Sequence, residues 1–127
     1  MRPKILIVDD SMTTLLMEEM LLKKYTNFDV VQARNGQEAV KVALEELPGL
    51  ILMDVVMPKM DGFAACREMR RLEKLKRIPI ILVTSRGEAE NVEKGFESGC
   101  NDYLTKPIDS NELVQMVNGY LGAEEGR

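Results

Sequence analysis

Histidine does not occur in this chain of 127 residues. Its absence removes Ser-His catalysis, most zinc sites and any role as a phosphohistidine carrier. Chemistry must then come from carboxylates, a hydroxyl, a lysine or a bound metal. Cysteine is nearly absent, and Cys66 and Cys100 lack metal or redox spacing, so both are expected as reduced thiols. No uninterrupted apolar run approaches membrane length. The chain enters an apolar strand at Lys4-Ile5, which leaves no signal peptide and implies a cytoplasmic protein. Excess positive charge is lacking too: the net charge of −4 argues against nucleic acid or an anionic membrane as a direct partner.

What is present is an ordinary globular composition, 45% hydrophobic and 30% charged, in a length that suits one domain. Apolar runs alternate with helical patterns. Strands are expected near 4–9, 28–33, 50–54, 79–84 and 102–105. Helices are expected near 11–25, 36–46, 61–74, 88–98 and 109–121. The breakers Asn35-Gly36, Pro48-Gly49, Asp61-Gly62, Pro79, Gly99 and Pro107 punctuate them. Such alternation implies an α/β fold with a parallel sheet, helices on both faces and right-handed crossovers. The first, third and fourth strands are nearly all apolar and belong in the centre; the mixed second and short fifth suit edges. Residues 1–122 are expected to form the domain and 123–127 a frayed tail.

Two of the apolar runs end in acid. Asp9 and Asp10 follow Ile5-Leu6-Ile7-Val8, and Asp54 follows Leu50-Ile51-Leu52-Met53. In an open sheet of order 2-1-3-4-5, ligands bind beyond the carboxyl ends of the strands where the order reverses, between strands one and three. Three carboxylates would meet there, and they repel unless a cation sits among them. Hard oxygen ligands suit Mg²⁺ where phosphate is handled. Thr84 ends the fourth strand and Lys106 follows the fifth, adding a hydroxyl and an ammonium to the same rim. A phosphoryl group is well served by that set, and a carboxylate is a known acceptor of one.

These residues, in this order, resemble the receiver domain of two-component response regulators, with the flavodoxin-like fold of the chemotaxis regulators, from about Lys4 to Leu121. Asp9-Asp10 match the acidic pair, Asp54 the phospho-accepting aspartate, and Met57-Pro58 with Asp61-Gly62 the loop that follows it. Thr84-Ser85 and Lys106-Pro107 match the hydroxyl and lysine-proline signatures. The resemblance implies that Asp10, Asp54 and the backbone carbonyl of Val56 bind Mg²⁺, with Asp9 reaching it mainly through water. Asp54 would take a phosphoryl group from a sensor histidine kinase or phosphotransfer protein. Lys106 and Thr84 would each engage a phosphoryl oxygen, and the Lys106-Pro107 bond would be cis. Tyr103 would be the switch aromatic, changing the face of helix four, strand five and helix five for a downstream protein target. Such a domain is not an enzyme on other substrates; it assists only its own phosphorylation and dephosphorylation. Val56 and Arg86 flank the phosphoryl site and, in the family, tune hydrolysis. Valine cannot orient water, so a slow-to-moderate loss of phosphate is expected.

The first helix is richer in Leu and Met than one core-facing stripe needs: Met12, Leu15, Leu16, Met17, Met20, Leu21 and Leu22. It is expected to dock the phosphodonor through Leu15 and Leu16. The basic stretch from Arg67 to Arg77 reads as a solvated face. Two other classes compete. A Mg²⁺-dependent phosphohydrolase of the haloacid dehalogenase type would place its aspartyl nucleophile after the first strand in an Asp-x-Asp pattern, whereas here the acids are adjacent. A receiver-like scaffold that never takes phosphate would not need all five site residues.

Overall fold

Strict alternation of side chains along each strand divides the hydrophobic residues between two faces of one sheet. In the computed structural model, which describes residues 2–85 and 89–122, the elements run β1 (Lys4–Val8), α1 (Met12–Tyr25), β2 (Asp29–Ala33), α2 (Gly36–Glu46), β3 (Leu50–Asp54), α3 (Gly62–Arg71), β4 (Ile80–Ser85), α4 (Ala89–Ser98), β5 (Asp102–Lys106) and α5 (Ser110–Leu121). All neighbouring strands pair in parallel, in the order β2-β1-β3-β4-β5. On one face Leu6, Val8, Ile51, Met53, Ile80 and Leu82 pack under Ala39 and Ala43 of α2 and Ala65, Cys66 and Met69 of α3. On the other, Ile5, Ile7, Leu50, Leu52, Ile81 and Val83 meet Leu15 and Leu22 of α1 and Leu113 and Val117 of α5. The odd and even positions of a strand thus feed different cores, as a period of two requires. β1 and β3 are buried almost throughout, while β2 and β5 are partly exposed edges.

Short polar side chains start the helices. Ser11 caps α1 by accepting the Thr14 N–H, Asn35 caps α2 through Glu38, Asp61 caps α3 through Ala64, and Asp109 caps α5 through Glu112. Cys66 and Cys100 are free and buried.

Three expectations need correction. The third helix stops at Arg71 rather than 74: the Leu72 N–H turns back to Met69 O at 3.1 Å, and turns carry the chain on to Pro79. Nor is the basic stretch wholly solvated. Arg70 is half-buried, and its guanidinium donates to the carbonyls of Gly99 (2.8 Å), Leu75 (3.2 Å) and Ile78 (2.8 Å) and to Asn101 Oδ1 (2.7 Å). Leu15 belongs to the core, 2% exposed, because it shares one stripe of α1 with Leu22; Leu16, turned about 100° away from it, is 61% exposed. Leu15 therefore cannot form a docking face. The start of the fourth helix at 88, Arg86 and the tail 123–127 lie outside the described residues.

Candidate functional site

The sheet brings together the carboxylates that the sequence separates. β1 and β3 are neighbours with Val8 opposite Met53, so Asp9, Asp10 and Asp54 emerge side by side at the carboxyl edge. Each offers an oxygen, and these oxygens lie within 4.8 Å of one another. Asp9 and Asp54 are buried and Asp10 is exposed. The backbone fixes them in place. The Asp9 N–H donates to Ala33 O at 3.2 Å, its Oδ1 accepts the Ser11 N–H at 2.9 Å, and Arg34 Nη2 donates to Asp10 O at 3.1 Å.

Lys106 reaches this cluster from the end of β5. Its Nζ stands 3.1 Å from Asp54 Oδ1 and 3.5 Å from Asp9 Oδ2. Burial works against the ammonium, but the charges of Asp54 and Asp9 outweigh it and raise its pKa. One cation between two buried anions leaves the balance negative. Burial, with the charge of Asp9 adding to it, pushes the Asp54 carboxyl up from an ordinary 3.8 to about 6, against the opposing pull of Lys106. Beyond its 3.5 Å ion pair with Lys106, the second oxygen of Asp9 is buried without a hydrogen-bond partner among the described residues. A hard divalent cation such as Mg²⁺ would serve these oxygens.

Thr84 is buried on β4, one strand from Asp54, and Lys106 pairs with the adjacent Ser85 in the β4–β5 register. The Lys106-Pro107 peptide is cis. Val56, two residues beyond Asp54, exposes its side chain to solvent. Tyr103 points outward, with its ring edge-on to Phe96 of α4. The five rim residues expected from the sequence therefore share one end of the sheet, and Tyr103 flanks them on the edge strand.

Glu18 escaped the sequence reading. It sits on α1 between Leu15 and Leu22, in the stripe that faces the core, and is only 2% exposed. Its Oε1 has no hydrogen-bond partner among the described residues. Burial first, then the charge of Asp9, raises its pKa from 4.5 to about 8; Lys106 opposes the shift and Asp54 adds to it. Its position three residues after Leu15 and four before Leu22 was the available signal, since an acid on that stripe must be buried.

Two open pockets flank the rim. One, of about 450 Å³, is lined by Thr14, Met17, Ser85, Lys106, Pro107 and Ile108. The other, of about 330 Å³, lies between α1 and β2 and includes Met12, Leu16 and Arg34. The exposed side of α1 thus adjoins the acidic site directly.

Comparison with known proteins agrees with this geometry. The family described as the response regulator receiver domain matches residues 5–118. The chain is 38% identical to the protein PilH of Pseudomonas aeruginosa, over 93% of the chain and 97% of that protein. It is 37% identical to the DNA-binding dual master transcriptional regulator RpaA of Synechocystis, over 94% of the chain but 49% of that protein. The chain therefore spans about half the length of some curated relatives. Among solved structures, the receiver domain of a sensor histidine kinase from Pseudomonas aeruginosa has a TM-score of 0.87 at 32% identity, covering 97% of this chain and 100% of that one. That structure holds a magnesium ion coordinated in its active-site cleft. A co-crystal structure from Saccharomyces cerevisiae, of a histidine phosphotransfer protein with the receiver domain of its downstream response regulator, gives a TM-score of 0.86 at 31% identity, covering 94% of this chain and 89% of that one. With the family matched from β1 into α5 and its acidic site assembled, the chain belongs to the response regulator receiver domains of two-component systems.

Proposed function

We propose that this chain accepts a phosphoryl group on Asp54 from a phosphohistidine and, in that state, presents a changed surface to a protein target in the cytoplasm. One observation carries the reading: Lys106 bridges Asp54 and Asp9 beside Asp10, so a buried acceptor carboxylate, further acids and an ammonium face one space. Asp9, Asp10, Asp54 and the Val56 carbonyl are the groups that would hold Mg²⁺. Once bound, Mg²⁺ supplies charge neutralisation between the incoming phosphoryl group and the carboxylates. A relative with that ion in its cleft supports the assignment.

The transfer itself is a displacement. An Asp54 oxygen bonds to phosphorus as the N–P bond of the phosphoimidazole breaks, and the electron pair stays on the imidazole nitrogen, which takes a proton. Asp54 is available as the attacking anion above its pKa of about 6. Lys106 then exchanges a carboxylate partner for a phosphoryl oxygen, a charge-assisted contact of the same kind. The Thr84 hydroxyl donates to another oxygen, and its displacement makes room for Tyr103 to leave its outward position beside Phe96. A target that prefers the new face made by α4, β5 and α5 draws the population toward it. The chain performs no turnover on other substrates, and the exposed Val56 beside the site gives no help to an attacking water.

The donor is proposed to dock on α1. Met12, Leu16, Met17 and Met20 form an exposed apolar surface beside both pockets. Adaptable methionines suit a helical partner. The receiver solved with a phosphotransfer protein supports a donor of that class.

Intact-mass spectrometry after incubation with acetyl phosphate tests the reading. One added phosphoryl group that requires both Mg²⁺ and Asp54 is expected. An adduct that persists in Asp54→Asn, or none with no phosphate released, rejects it.

A further inference from the structure

The loop that joins Asp54 to α3 is pinned at both ends by a glycine. At the near end, the Gly62 N–H donates to Val55 O at 2.8 Å, and a Cβ on Gly62 would lie 2.5 Å from Asp54 O. At the far end the first residue of α2 grips the same loop. The Gly36 N–H donates to Met60 O at 3.0 Å, and a Cβ there would stand 2.3 Å from that oxygen and 2.9 Å from the Met60 carbonyl carbon. The Met60 N–H is itself taken by Pro58 O at 2.7 Å, and Lys59 adopts a left-handed φ of 68°. The loop is thus tightly folded, with little freedom to yield at Met60.

We propose that Gly36 is a positioning residue for the cation site: its bare backbone lets α2 hold Met60, and through it the path of the loop that leaves Asp54. The inference rests on reading the acidic cluster as a Mg²⁺ site. Its physics is a matter of tolerances. A methyl group on residue 36 would need Met60 to retreat by roughly 1 Å to reach ordinary contact. Mg²⁺ demands near-octahedral oxygens at about 2.0–2.1 Å, so even a part of that shift, passed along the loop from Met60 to the Val56 carbonyl, weakens it as a ligand. Helix α2, which contributes no side chain to the site, would therefore set how well the site takes its ion. Gly36 does not adopt a left-handed φ. An alanine there suits a helix, so its effect must come through Met60.

The test compares Mg²⁺ affinity, by calorimetric titration, in the native chain, Gly36→Ala and Gly119→Ala. Gly119 is a helical glycine with open space where a Cβ would go, so it controls for the chemical change alone. Gly36→Ala is expected to weaken Mg²⁺ binding about tenfold, the usual scale for losing an outer support of a metal site. Gly119→Ala is expected to stay within about twofold. Native-like affinity in a folded Gly36→Ala overturns the inference alone; absence of Mg²⁺ binding by the native chain overturns the cation site and this inference with it. Hydrogen exchange in the native chain decides the matter should Gly36→Ala not fold. Coupling is reciprocal, so Mg²⁺ must slow exchange of the Gly36 amide more than that of Leu113, which is bonded to Asp109 in α5. Equal slowing of the two amides would overturn it.

Discussion

Lys106 Nζ lies 3.1 Å from Asp54 Oδ1, yet the pair does not satisfy the aspartate. Burial and the charge of Asp9 leave its carboxyl at about 6, above its ordinary value. A single ammonium offsets two buried anions only partly. Asp54→Asn should therefore raise the metal-free melting temperature at neutral pH. A gain of about 1–2 kcal/mol, or roughly 3–8 °C, is expected. Lys106→Ala should lower it, because Asp9 and Asp54 then face each other unbalanced. Calorimetry with and without Mg²⁺ checks both, and Mg²⁺ should raise the native temperature by linkage but leave Asp54→Asn nearly unmoved. A lower melting temperature in Asp54→Asn would mean that Lys106 more than compensates the cluster.

Glu18 gives the stability an unusual pH dependence. Its folded pKa of about 8 stands above its ordinary 4.5, so the folded state holds the proton more tightly than the unfolded one. The contribution is complete below pH 4.5 and disappears as pH rises through about 8. Asp54 acts in the same direction between 3.8 and about 6. Together they make the protein less stable in mild alkali than in mild acid; for Glu18 the loss is at most about 5 kcal/mol over the whole span from 4.5 to about 8, and only the part of it above the starting pH is seen. Melting temperatures at pH 6.5 and 9 should differ in the native chain, and Glu18→Gln should remove most of that difference. A native-like slope in Glu18→Gln would place the titrating group elsewhere.

How much of this was legible beforehand depends on whether period or packing decides it. The central place of the first, third and fourth strands followed from their apolar runs, and, with the order 2-1-3-4-5 taken as given, so did the convergence of Asp9, Asp10 and Asp54, because a parallel sheet puts such strand ends on one edge. Thr84 and Lys106 followed by the same logic. The inward turn of Leu15 and the burial of Glu18 depend on the rotation of α1, which so many Leu and Met residues blur. Arg70 looked like its exposed neighbours Arg67 and Arg71, since nothing local shows that Gly99 would come to lie beside it. Phe96 reaches Tyr103 only through the packing of α4 on the sheet.

Arg70 ties the far end of the sheet together. Its guanidinium holds the carbonyls of Leu75, Ile78 and Gly99, while Asn101 Oδ1 also accepts the Ile80 N–H at 2.9 Å. A Cβ at position 99, where φ is 107°, would collide with the Arg70 side chain. Arg70→Ala should cost about 2–4 kcal/mol, because several partners lose their donor at once. Arg70→Lys should recover less than half, since an ammonium lacks the planar fork. Urea midpoints check this. Phosphoryl uptake in the folded variants should stay near native, because the tie sits at the end of the sheet away from Asp54.

Leu15 and Leu16 are adjacent in sequence and opposite in role. Leu15→Ala opens a cavity in the core and should cost about 2–5 kcal/mol. Leu16→Ala should leave stability within about 0.5 kcal/mol of native. If α1 receives the donor, Leu16→Ala slows transfer from a phosphohistidine protein while leaving uptake from acetyl phosphate unchanged. Unaltered transfer in Leu16→Ala and Met20→Ala together would remove α1 as the docking surface.

Phe96 and Tyr103 meet edge-on, with centroids 6.1 Å apart and rings at 87°. Both rings remain partly exposed, so the pair holds Tyr103 outward without locking it. An aromatic contact of this kind is worth about 0.5–1.5 kcal/mol. Turning Tyr103 inward must give that up, and whatever stabilises the outward form opposes the phosphorylated one. Phe96→Ala should therefore tighten binding of a phosphoryl mimic such as beryllofluoride with Mg²⁺ by about two- to tenfold. Affinity for Mg²⁺ alone should not change, because neither ring touches the acidic cluster. Loss of packing without a switch would lower the melting temperature and leave the mimic affinity where it was. An unchanged mimic affinity would thus show that Tyr103 reports on its neighbours rather than taking part in the transition.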